Sequence, residues 1–315
     1  MYGVRRAMIQ LGVKAPKVLL RMFDVMVEPV LSYGAENWAA KYLVPSVNDA
    51  NKDLVGKDDC HKVQLRFCKI LLGVSNSTSS RCVLAECGQL PLLFRWFKRT
   101  INFYNSVRRE GSSTLVGAAL QENIELIMMV QQHGTGVGAN SWLGCIAATL
   151  QSLGVHFNPV EVPSLNTSRC CRLWKQWYIQ QLSVDSSVGK YYVEHLEKEL
   201  TPQNYQQLPK YLLEIPETWR RSAITQLRMG AHWLRTSCVN ECQSTSGVVK
   251  KCKRCSENVD DVLRHYVFDC SYLDELRSEY STLFESPDVP MEQFFKLDAG
   301  AVASFTTKCY QRLRI

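Results

Sequence analysis

The stretch Cys252–Cys270, CKRCSENVDDVLRHYVFDC, places three thiols and an imidazole at C-x2-C-x9-H-x4-C spacing. A C-x2-C turn lets two thiolates converge on one ion. The segment that follows can return a His/Cys pair to complete the tetrahedral, soft-donor shell that Zn²⁺ prefers. Cys252, Cys255, His265 and Cys270 would then fill all four positions and leave none for a reactive water, as in a structural site holding one zinc per chain. Cys238 and Cys242 lie just upstream, so a four-thiolate ribbon of Cys238, Cys242, Cys252 and Cys255 is the competing assignment. The first set is preferred because the ribbon uses a less standard C-x3-C pair and leaves His265 and Cys270 without a role.

Outward from this module, composition limits the possibilities. With 315 residues, 46% hydrophobic and 21% charged, the chain has the make-up of a globular protein long enough for two or three units. Thirteen cysteines, an odd number, and no signal peptide point to a reducing compartment, nuclear or cytoplasmic. The most apolar runs, Val25 to Leu31 and Leu143 to Val155, are too short or too polar to span a bilayer. The net charge of +7 is uneven: residues 1–110 hold 17 Lys/Arg against 9 Asp/Glu, and the remainder 20 against 21. A basic first third is the electrostatic footprint expected for a polyanionic partner.

Helical periodicity dominates. Leu19, Leu20, Phe23, Val27 and Val30 give a helix over Pro16–Leu31 that Pro29 bends or ends, and a second follows at about Ala35–Leu43. Asn48–Asp59 reads as loop. Val63, Phe67, Ile70 and Leu71 form a stripe capped by Asp58 or Asp59 and stopped by Gly73. A short helix runs from Ser77–Ser80 to Gly88. Pro91 opens a longer one, with Leu93, Trp96, Phe97, Thr100, Ile101, Tyr104 and Val107 on one face. Arg95, Lys98 and Arg99 fall largely on the other and are the leading candidates for phosphate contacts. Further helices are expected at Leu115–Val130, Ser168–Leu182, Lys190–Leu200 and Glu217–Met229, then helical spacing over Cys270–Phe284 and a loosely packed tail. No strand pattern is long enough for a large sheet. The glycine-rich Gly134–Gly138 follows a helix and lacks the Lys-Ser/Thr ending of a phosphate loop, so it reads as a connection. Asp58-Asp59 and Asp260-Asp261 follow no apolar strand and read as cap and loop acids; Cys60 and His61, as neighbours, point apart on a helix.

Three separated stretches resemble the reverse transcriptases of LINE-type, non-long-terminal-repeat retrotransposons. Leu20–Trp38, LRMFDVMVEPVLSYGAENW, looks like the segment that follows their palm. His61–Tyr104 resembles their thumb, including FCKILLGV at Phe67–Val74 and ECGQLPL at Glu86–Leu92. Leu227–Leu234, LRMGAHWL, followed by Cys252, Cys255, His265, Cys270, Tyr272 and Arg277, is similar to their C-terminal segment and zinc knuckle. The chain departs from that pattern in having Val262, Leu263 and Arg264 where further acids usually precede the knuckle histidine. The palm, with its Mg²⁺-holding aspartates, would lie upstream of Met1.

The resemblance implies a mainly α protein without polymerase activity of its own. Its expected parts are a thumb-like basic bundle (1–112), a helical connecting region (113–216), an arginine-glycine-histidine segment with a zinc knuckle (217–285) and a tail (286–315). It also implies binding of RNA or an RNA/DNA duplex, with no membrane or small-molecule partner, through Arg95, Lys98, Arg99, Lys250, Lys251, Lys253 and Arg254. The alternatives are an interaction or structural remnant that binds no nucleic acid, and the C-terminal piece of a longer, active reverse transcriptase.

Overall fold

The computed structural model describes residues 10, 12–43, 58–133, 140–184, 192, 200–229, 238–243, 247–285 and 290–314. The Gly134–Gly138 loop, residues 230–234 of the third resembling stretch, and most of the Asn48–Asp59 loop and the Lys190–Leu200 helix lie outside them.

The fold is mainly helical. The first half comprises α1 (Pro16–Met22), α2 (Glu28–Leu31), α3 (Ala35–Trp38), α4 (Ala40–Leu43), α5 (Asp59–Leu72), α6 (Ser80–Glu86), α7 (Leu92–Val107) and α8 (Leu115–His133). There follow α9 (Trp142–Ser152), α10 (Thr167–Val184), α11 (Lys210–Glu214) and α12 (Thr218–Arg228). An antiparallel sheet of β1 (Cys238–Gln243), β2 (Gly247–Cys252) and β3 (Asn258–Val259) comes next, in the order β1-β2-β3. Beyond it lie α13 (Val262–Arg264), α14 (Asp274–Glu279), α15 (Met291–Phe294) and α16 (Ala299–Arg314).

The expected helix over Pro16–Leu31 is a single run with a π-helical turn at Phe23–Val27 between α1 and α2. Pro29 explains the widening. It has no N–H to give to the preceding turn, and the i→i−5 bond from Glu28 N–H to the Phe23 carbonyl carries the chain past it. α5 starts and stops where its caps require. The Asp58 carboxylate accepts the Cys60 N–H at 2.6 Å, and Gly73 turns the chain out at φ 67°. Gly73 is needed twice over, because a Cβ there would lie 2.0 Å from Ser222 Oγ on α12.

α7 is the central helix. The stripe from Leu93 to Val107 is buried as its period requires, with Trp96, Ile101 and Tyr104 wholly enclosed. Trp96 meets Trp38 of α3 at 4.8 Å and His61 of α5 at 4.9 Å between ring centres. The first N–H groups of α7 have no partners within the helix, and α5 supplies them. Gln64 Oε1 accepts the Leu92 N–H at 3.1 Å, and His61 Nε2 accepts the Leu93 N–H at 3.0 Å.

His61 must therefore be neutral, and burial lowers its pKa from the ordinary 6.5 to about 4, against the opposing pull of Asp58. Between those values the unfolded chain binds a proton that the folded chain does not. The contribution is complete above pH 6.5 and is lost as pH falls towards 4, by about 3 kcal/mol. Urea midpoints compared at pH 7 and pH 4.5 should show this drop in the parent. His61→Gln, which keeps an acceptor and cannot be protonated, should show a shallower one; equal slopes would remove His61 as the cause.

Several findings differ from the sequence reading, among them the unforeseen helix α9 and the division of the expected Ala35–Leu43 helix into α3 and α4. The tail does not pack loosely: α16 buries Val302, Ala303, Phe305, Cys309 and Leu313 and lies along α12. The Cys270–Phe284 segment is also not one helix. It breaks into a 3₁₀ turn (Ser271–Leu273), α14 and a second 3₁₀ turn (Ser281–Leu283). The boundaries near 112, 216 and 285 are bridged by packing. Arg221 on α12 donates to the Lys14 carbonyl at 2.9 Å, and Arg220 donates to the Gly300 carbonyl at 2.8 Å and to Ser304 Oγ.

Candidate metal centre and basic surfaces

The four ligand atoms expected from the spacing converge. Cys252, Cys255, His265 and Cys270 offer Sγ and imidazole nitrogen atoms all within 4.8 Å of one another. The Cys252 and Cys270 sulfurs are 4.0 Å apart, and Cys255 Sγ lies 3.4 Å from His265 Nε2. A tetrahedral ion with bonds of about 2.3 Å to sulfur and about 2.0 Å to nitrogen needs edges of about 3.5 to 3.8 Å, so the cluster can hold a metal ion.

Local structure builds each half. β2 delivers Cys252, and the turn behind it closes through Ser256 N–H to the Cys252 carbonyl (3.0 Å) and Cys252 N–H to the Glu257 carbonyl (2.9 Å). Ser256 takes a left-handed φ of 65° to complete that turn, a conformation glycine adopts with less strain. The Arg254 N–H points at Cys252 Sγ, 3.4 Å away. In the second half, Asp261 caps α13 by accepting from the Leu263 and Arg264 N–H groups. The chain then widens into a π-helical turn, His265–Asp269, closed by Cys270 N–H donating to the His265 carbonyl at 2.6 Å. That i→i−5 closure accounts for the H-x4-C spacing. Arg277 fixes the exit by donating to the Cys270 carbonyl at 2.5 Å.

Electrostatics favour a cation in the cluster. Burial opposes ionisation of Cys252, but the Tyr266 hydroxyl, 3.2 Å from the sulfur, and the Cys255 and Arg254 N–H groups outweigh it and bring its pKa down to about 6. Burial pushes the Cys255 and Cys270 thiols up, and the Cys252 charge adds to both shifts. Three thiolates this close require a positive ion to offset their repulsion. Tyr266 escaped the sequence reading; its place directly after the ligand His265 was the only signal. For Cys238 and Cys242, the register sets the backbone of Cys238 opposite Cys252 and that of Cys242 opposite Val248.

The expected phosphate-contacting residues divide. Arg95 donates to Asp24 at 2.5 Å and reaches Glu28 at 3.4 Å. Arg99 donates to the Ser32 carbonyl at 3.0 Å and lies 3.6 Å from Glu28. Glu28 is buried, and Ser32 donates to it while accepting from Trp96 Nε1. These arginines thus tie α7 to the α1–α2 run. Lys98 is exposed and has no acidic partner among the described residues. In the metal module, Lys253 is exposed and Lys251 half-buried. Arg254 stacks over Tyr272 (5.5 Å to the ring centre) and donates to the Leu313 carbonyl at 3.1 Å. Only the backbone of Lys250, in β2, is described.

Elsewhere Asp58 and Asp261 cap helices and Asp59 pairs with Lys62 at 2.8 Å, and Cys60 is the reverse of an activated nucleophile: burial and the Asp58 charge push its thiol up to about 11. A buried ionic cluster went unread. Glu86, wholly enclosed, accepts from Arg228 Nε at 2.8 Å and from the Tyr192 and Tyr211 hydroxyls at 2.6 Å each. Burial, and after it the Glu86 charge, hold both phenols well above their ordinary range, so they remain donors.

No family model matches the chain, and neither a curated protein nor a solved structure is significantly similar to it. Among the described residues no helix is long and apolar enough to cross a membrane.

Proposed function

We propose that the chain is a non-catalytic binder of RNA or of an RNA/DNA duplex, derived from the C-terminal part of a LINE-type reverse transcriptase, with one structural zinc ion in its Cys/His cluster. Three thiolates and an imidazole at tetrahedral separation suit zinc better than harder ions that prefer oxygen donors. The observation that carries the derivation is the way the three resembling stretches meet. Asp24 and Glu28 of the first pair with Arg95 and Arg99 of the second, and Glu86 of the second pairs with Arg228 of the third. Motifs of one ancestral unit are expected to interlock in this way; chance likenesses are not.

Purified full-length protein should bind a short RNA/DNA duplex with an affinity that falls steeply as salt rises, and should extend no primer. Absence of binding at 50 mM salt would leave the interaction-remnant reading in its place. The reading as the C-terminal piece of a longer polymerase is favoured by one feature. Val25, Met26 and Val30 lie exposed on the α1–α2 run and Tyr33 just beyond it, all within the stretch that resembles the segment following a palm, and apolar side chains so exposed are suited to covering by another domain.

A further inference from the structure

We infer that duplex nucleic acid is held by its phosphates over the groove between α7 and α10 and the adjoining outer face of α10, by Lys98, Arg169, Arg172 and Lys175, and not by Arg95 and Arg99. This rests on the nucleic-acid reading above and relocates its contact surface.

The two helices run antiparallel in direct contact. Phe94 and Phe97 pack on Trp174 at 5.4 and 6.5 Å, Asn102 accepts from Thr167 at 3.0 Å, and Asn105 bonds both the N–H and the carbonyl of Leu165 at the far end. Together they carry six Lys/Arg and no Asp/Glu, so neither helix can neutralise the other. Asp24 and Glu28 neutralise two of the six, Arg95 and Arg99. Lys98, Arg169 and Arg172 are exposed without an acidic partner among the described residues. Lys175 sits over the Phe94 ring at 5.2 Å and reaches only the neutral amide of Gln206.

The cations are also neighbours. Lys175 reaches across to the Phe94 ring of α7, and Lys98 lies one turn beyond Phe94 on the same side of α7, so the two lysines flank the groove together. Arg169, Arg172 and Lys175 recur every third residue, rising about 4.5 Å and turning about 60° per step, so the row runs from Lys175 beside the groove across the exposed outer face of α10. Four cations with no acidic partner among the described residues, on two packed helices, form a surface for a polyanion. The rings beside them decide which kind. Trp174 and Tyr178 are buried and Lys175 covers Phe94, so the groove offers charge without a platform for stacking unpaired bases. Backbone phosphates of a duplex, held without sequence readout, fit that combination.

The test measures binding of full-length protein to a 20-base-pair RNA/DNA duplex by fluorescence anisotropy between 50 and 200 mM salt. Lys98→Ala/Arg169→Ala/Arg172→Ala/Lys175→Ala should lower the slope of log affinity against log salt by about 3 to 4 units, near 0.9 per lost contact. The charge-retaining set Lys98→Arg/Arg169→Lys/Arg172→Lys/Lys175→Arg should keep the parent slope. If the quadruple variant is less stable, the triple variant that spares Lys175, with only exposed positions changed, should still lose about 2 to 3 units. Parent-like slopes in these alanine variants would overturn the groove while leaving nucleic-acid binding intact. Tighter binding of single strands than of duplex would overturn the duplex assignment, as would tighter binding of an acidic protein. A parent protein that binds no nucleic acid would remove the underlying reading and the groove with it.

Discussion

Chelating the metal, or replacing Cys270 by Ser, should unfold the segment from β1 to α14, with a loss on the order of 10 kcal/mol of local folding free energy. The reason lies in what remains without the ion. Cys252, His265 and Cys270 are buried, and β2, the central strand of the small sheet, ends at the first of them. With no ion, the turn at Ser256 and the π turn at His265–Asp269 must hold their conformations without the bonds that join them. Metal analysis should find one zinc per chain in protein prepared without chelator. His265→Ala should lose it and Cys238→Ala should retain it; the opposite result would establish the four-thiolate ribbon. Loss of the sheet can be read by hydrogen exchange of the β1–β2 amides, and protection that survives complete removal of metal would sink the structural role.

The second large effect belongs to Glu86. Arg228→Met leaves a carboxylate enclosed in apolar surroundings with only two phenol donors, and should destabilise the protein by about 3 to 5 kcal/mol. Glu86→Gln alone should also be costly, because it keeps an acceptor but removes the negative charge that offsets the buried guanidinium; cation–π contact with the Tyr211 and Phe295 rings compensates only in part. The double variant removes both charges and keeps an acceptor for the tyrosines, so it should lose less than the two single variants together, by about 2 kcal/mol. Denaturant titration of the four proteins completes the cycle. Strict additivity would mean that the two charges do not sense one another.

Local information was legible in the sequence, and long-range pairing was not. The α7 stripe reads directly from its 3.6-residue period, and the metal ligands from their spacing, because both patterns lie within a few turns of chain. Arg95 and Arg99 read as phosphate-contact candidates because their partners, Asp24 and Glu28, sit in another helix some 70 residues earlier, 71 residues away for the Asp24 bond. α16 was obscured by Gly300 and by Thr306 and Thr307, which are poor helix formers and look polar. In the fold both hydroxyls bond back to the carbonyls four residues before them, at 2.7 Å, and so can be buried. The π turns had no signature at all apart from Pro29 and the H-x4-C interval.

The ion pair between Glu86 and Arg228 spans 142 residues, and this has a consequence during synthesis. At roughly 5 to 20 residues per second, a ribosome needs about 7 to 28 s to make Arg228 after Glu86 has been added. Throughout that interval α6 carries a carboxylate destined for the interior whose counter-ion does not yet exist. The nascent bundle cannot close around Glu86 until α12 has emerged, and chaperones have that long to bind the apolar faces left open.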